Sequence, residues 1–218
     1  MQLSKSKQRL GTVALLLLWC IALLVYWIYL ESDSLAVGML WNLFLAVIPL
    51  AWGAAFKSAS AQKRPYLAGV FFFLWLLFLP NAPYILTDLL HLKPHPQIPL
   101  WYLLAALLSC AGTGTMLGYL SLLDVHAAVE EKWGAIAGWS TVAGSILLCG
   151  FGIYLGRFLR WNSWDALAHP IHLLRTAIGQ FIDSGAHPHP FAVSSIFGIG
   201  LFIGYLALRV FATSMRDN

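Results

Sequence analysis

Six apolar stretches constrain this chain more than anything else in it: residues 11–30, 35–56, 65–79, 99–123, 135–156 and 191–211. A bilayer core of about 30 Å is crossed by about 20 helical residues. In lipid only a helix or a closed barrel satisfies its own backbone polar groups. Composition agrees, with 60% hydrophobic and 10% charged residues where soluble domains carry about a quarter charged. The expected fold is all-α: a polytopic membrane helix bundle of six spans, forming a single integral-membrane domain over residues 1–218. The first stretch follows Lys5, Lys7 and Arg9, as a secretory signal would. Its apolar run exceeds the roughly 7–15 residues of a signal core, so a retained first helix is expected.

Basic residues orient such a bundle. With six spans, Lys5, Lys7, Arg9, Lys57, Lys63, Arg64, Lys132, Arg209 and Arg216 share one side. Lys93, Arg157, Arg160 and Arg175 share the other. The richer side is expected to be cytoplasmic, with both termini there and six of the seven histidines outside. The formal charge of +4 follows from this topology, and no basic stripe points to nucleic acid. Cys20, Cys110 and Cys149 all fall inside spans; they read as small packing residues, with no disulfide framework. Glycine pairs four apart (114/118, 134/138, 152/156 and 200/204) allow close helix contacts within the chain. No internal repeat is visible, and tryptophan and tyrosine suit the interfacial belts.

The third stretch is too short. Its fifteen residues rise about 22 Å as α-helix. Continuing to Leu92 gives length enough, but Pro80 and Pro83 interrupt the way. The third span is therefore expected to break at its outer end, with Asn81 capping a new short helix whose positive end lies at membrane depth. In that helix Tyr84, Thr87, Asp88 and His91 fall at i, i+3, i+4 and i+7, one polar stripe among leucines.

A second polar stretch closes the fifth span. Arg157 and Arg160 stand where the positive-inside rule expects few arginines. Asp88 and Asp165 are the carboxylates expected near them, and a guanidinium suits carboxylate or phosphate. Asn162 or Ser163 can cap a turn carrying Asp165. From Pro170 to Asp183 the chain alternates as an amphipathic helix lying in the interface plane.

The segments "FLPNAPYILTDLLHL" and "YLGRFLRWNSWDALAHP" resemble an uncharacterised family of bacterial integral-membrane proteins, domain of unknown function 1361. The resemblance runs from the second span onward. It implies a multi-pass protein of the bacterial cytoplasmic membrane, and it supplies no activity, cofactor or catalytic residue.

Three uses of the polar stretches stand side by side. The first is an outer-face pocket for an anionic group, a lipid headgroup or a small molecule, serving binding or transport. Asn81, Tyr84, Thr87, Asp88, His91, Arg157, Arg160, Asn162 and Asp165 would form it. The second is a metal-dependent membrane hydrolase holding its ion with ligands drawn from Asp88, His91, Asp165, His169 and His172. His95, His187 and His189 read as loop residues. The third is structural or assembly work, the polar groups only locking helix ends. No nucleophile elbow, triad or phosphate-binding glycine loop is present, and no cofactor is expected.

Overall fold

The computed structural model describes residues 2–182 and 189–214; Asp183, His187 and Arg216 lie outside them. The described residues form helices and no strand: α1 (Gln2–Leu30), α2 (Ser34–Ala61), α3 (Pro65–Phe78), α4 (Asn81–Tyr84), a 3-10 helix (Ile85–His91), α5 (Leu100–Phe158), α6 (Ser163–Ala168), α7 (Pro170–Ile182) and α8 (Pro190–Ser214). Among them five helical stretches are long and apolar enough to cross a membrane. Their outward faces carry large apolar side chains such as Leu15, Leu18, Val70, Ile136 and Ile196. So much exposed apolar surface fits lipid and not water.

The 59-residue α5 is a hairpin rather than a rod. Gly134 has φ +85°, a conformation open to glycine and costly for other residues. Across it the rings of His126 and Trp139 lie 4.9 Å apart, whereas thirteen residues of straight helix would part them by about 20 Å. The first arm packs against α1 and α2, and both arms meet α8, the first through Tyr119 and His126 and the second through Gly150. In the sequence reading the 134/138 pair is a packing step; the structure makes Gly134 the turn.

Ion pairs mark the two ends of the bundle. At one end Asp124 accepts from Arg9 of α1 at 3.0 and 2.7 Å and from Lys57 of α2 at 3.2 Å. Arg209 of α8 donates to His126, 2.9 Å from Nδ1, close to that site. The chain thus enters α1 and leaves α8 at the same end. At the opposite end Glu31 accepts from the Gln97 amide and pairs with His95, each at 2.8 Å. Those two contacts hold its carboxyl below the usual carboxylate range and pin the loop after the 3-10 helix. His95 is a loop residue as expected, and Glu31 is its partner there.

The other glycines admit the break in the third span. A Cβ on Gly114 would strike the Ala82 carbonyl, and one on Gly118 would lie 3.2 Å from the Ala82 Cβ. On the other arm Gly152 receives the Pro80 ring, and a Cβ on Gly156 would lie 3.0 Å from Tyr84. Gly204 receives Tyr119, while nothing approaches Gly200. All three cysteines are buried and free.

Gly114→Ala and Gly152→Ala should each lower thermal stability in detergent by about 1–3 kcal/mol, the usual cost of overpacking. Gly112→Ala is the control: no atom lies within 4 Å of its added methyl, so its melting temperature should hold or rise.

Candidate functional site

Pro80 supplies no N–H, yet the backbone at Leu79 (φ −51°, ψ −41°) and Pro80 (φ −60°, ψ −26°) stays right-handed. The third span therefore kinks after Phe78 without uncoiling, and the amides of Ala82 and Tyr84 bond back to Leu79 and Pro80 at 3.1 and 3.0 Å. This corrects the expected role of Asn81. With no fresh start to cap and no free N–H cluster, it makes no cap bond. Its side-chain amide instead donates to the Phe78 carbonyl and to the Ser163 hydroxyl, each at 2.9 Å. Ser163 in turn donates to the Leu77 carbonyl at 3.1 Å. The two polar stretches are joined at this point.

From Ile85 to His91 the winding is 3-10, with three residues per turn, so the α-helical stripe divides. Thr87 turns inward, buried, and donates to the Tyr84 carbonyl at 2.7 Å; it is not a pocket residue. Asp88 is buried as well, 3% exposed, and its partners decide its role. Asn42 of α2 donates to Oδ2 at 3.0 Å, and Arg157 Nη1 lies 3.6 Å from Oδ1. Arg157 also reaches His91, with Nη2 3.2 Å from Nε2. A guanidinium only donates, so the imidazole offers it a lone pair.

Asp165 takes no part in that cluster. It closes a capping box with Asn162, its Oδ2 accepting from the Asn162 amide at 2.8 Å. A carboxylate three residues into a helix meets its own cap first, which removes it from both the pocket and the metal set. His172 packs beside the Trp161 ring, centroids 5.3 Å apart. Asp88 and His91 are neighbours, but among the described residues no three His, Cys, Asp or Glu side chains gather as a metal site would require. The five residues of the metal reading do not converge.

Beside the kink lies a cavity of about 900 Å³ between α2, α3 and the second arm of α5, roofed by α6. Its polar end is lined by Asn42, Asn81, Tyr84, His91, Arg157 and Arg160, with Asn162 and Ser163 at the rim. Phe73, Leu76 and Leu77 line one wall of the other end, and Leu148, Phe151 and Leu155 the facing wall. Asn42 and Trp41 escaped the sequence reading, although a lone asparagine inside an apolar span was the available signal. Arg160 has left-handed backbone, φ 57°. Among the described residues no hydrogen bond or ion pair engages its side chain.

A double-mutant cycle tests the join of α2, the 3-10 helix and α5. Arg157→Ala strands the Asp88 carboxylate and should cost about 3–5 kcal/mol. Combining it with Asp88→Asn should cost less than the sum of the single losses. Additive losses in the melting temperature would separate the two residues.

Comparison with curated proteins and with solved structures gives no match. A family model described as "Protein of unknown function (DUF1361)" matches residues 41–204, a range holding the kink, the α5 hairpin and every residue of the cavity. With that range covering well over half of its 218 residues, the chain belongs to this family of unknown function.

Proposed function

We propose that the chain is a six-span protein of a bacterial cytoplasmic membrane whose outer-face cavity binds an anionic group such as a lipid headgroup, for binding or transport. The observation that carries this reading is the charge balance at the polar end. Arg157 and Arg160 line the cavity, and the carboxylate that reaches one of them among the described residues, Asp88, already accepts from Asn42. One guanidinium is left over, with Asn81, Tyr84 and Asn162 around it as neutral polar partners. Ionisable groups within a membrane span are by default a functional-site hypothesis, and buried Asp88 with partly buried Arg157 are such groups.

Arg160 follows the end of α5 at φ 57°, as Lys63 follows the end of α2 at φ 55°. Glycine takes this conformation freely, so replacing Arg160 by glycine removes the guanidinium and leaves the turn. The basic residues give the orientation: Arg9, Lys57 and Arg209 gather at the end opposite the cavity, and by the positive-inside rule that end is cytoplasmic. Turning back at Gly134 makes α5 two crossings, and α7 lies along the interface.

Reporter fusions after Ser32 and Lys93 should read as extracytoplasmic, and those after Ala61 and Glu130 as cytoplasmic; the reverse pattern would move the cavity to the inner face. Arg160→Gly should keep or raise thermal stability while weakening binding of a short-chain phosphatidic acid about tenfold, or 1.4 kcal/mol. Unchanged affinity with lost stability would make Arg160 a structural residue and remove the anion site.

A further inference from the structure

Resting on the anion reading above, we infer that the ligand is a long-chain anionic lipid that enters sideways between α3 and α5. Its headgroup lies at Arg157 and Arg160 and its chain along the apolar end of the cavity. Volume is the first ground. About 900 Å³ stands near the top of the roughly 300–1,000 Å³ of ordinary ligand sites, far more than an inorganic anion fills.

Polarity is the second. From Leu148 to Arg157 the cavity follows nine helical steps of α5, about 13.5 Å of rise. Over that distance its lining passes from hydrocarbon to guanidinium. A bilayer of about 30 Å core makes the same passage from centre to headgroup over about half its thickness. The cavity and the membrane are thus graded in the same sense, and the ligand matching both carries charge at one end and hydrocarbon at the other. Access is the third. Phe73 and Leu148, on the two facing walls, are 55% and 53% exposed. The apolar end is therefore open at its side, where α3 and α5 meet lipid. A soluble anion has no use for that opening, while a lipid already in the bilayer can lead with its chain.

The test uses the full chain in phosphatidylcholine nanodiscs carrying a minority of dioleoyl phosphatidic acid, with retained lipid read by native mass spectrometry and inorganic phosphate as competitor. Phosphatidic acid should be retained over phosphatidylcholine by more than about tenfold, and inorganic phosphate should not displace it. Leu148→Trp, which crowds the opening, and Phe73→Gln, which makes it polar, should each cut retention several-fold. Both positions are exposed, so folding should survive. Arg160→Gly should abolish the preference for the anionic headgroup. If retention is unchanged in Leu148→Trp and Phe73→Gln, or inorganic phosphate displaces the lipid, the acyl tail has no site in the cavity. The lipid inference then falls, while the anion reading stands. If wild type shows no preference for phosphatidic acid and Arg160→Gly changes nothing, both fall together.

Discussion

At Pro80 a helix that must cross lipid loses a backbone donor, and the rest of the bundle is arranged around that loss. A kinked segment is wider than a straight helix and presents carbonyls that the ladder no longer fully covers. It can be buried only where its neighbours have no side chains. Gly114 and Gly118 on one arm of α5, and Gly152 and Gly156 on the other, leave that room for Ala82, Pro80 and Tyr84. The two arms stand at the right separation because Gly134 turns the chain back on itself. The kink in turn fixes where Tyr84, Asp88 and His91 can point. Position of the polar groups is thus decided by glycines that carry no chemistry.

Each end of the bundle holds a buried carboxylate among cations, but the two are used differently. Asp124 takes both terminal nitrogens of Arg9 and adds Lys57, a short and closed arrangement tying three helices. Asp88 has one neutral donor in Asn42 and a guanidinium at 3.6 Å. Five N–H donors on Arg157 are therefore only partly engaged, and an open cavity lies beside them. The tighter charge pairing is at Asp124, and the looser one stands beside the cavity.

The sequence was most legible where a single physical limit acts. Bilayer thickness reveals the long helices, and the missing N–H of proline reveals the break after Phe78. That Asp88 or Asp165 would meet an arginine followed from the cost of charge in lipid; which pair forms, Asp88 with Arg157, came from the structure. What stayed hidden depended on details that several backbone states share. Asn81 looks like a cap, but a cap is needed only if the helix stops, and φ/ψ at Leu79 and Pro80 show that it does not. At 3.6 residues per turn Tyr84, Thr87, Asp88 and His91 form one stripe; at three per turn Thr87 and Asp88 fall on different faces, and both are buried. Asp165 has a nearer partner in Asn162 than any arginine, and local capping is easily overlooked when charges are being matched across a fold. Asn42 was visible as a lone amide, but only the fold says that it faces Asp88.

The 3-10 winding also sets a height. Seven residues from Ile85 to His91 climb about 14 Å at 2.0 Å each, against about 10.5 Å for the same residues as α-helix. The difference, about 3.5 Å, is roughly the thickness of one side-chain layer. It lifts His91 to the level of Arg157, in the last turn of α5. Rewound as α-helix, the segment would end about 3.5 Å lower. The stretched coil acts as a spacer, bringing the end of a short third crossing level with a longer neighbour without adding a residue.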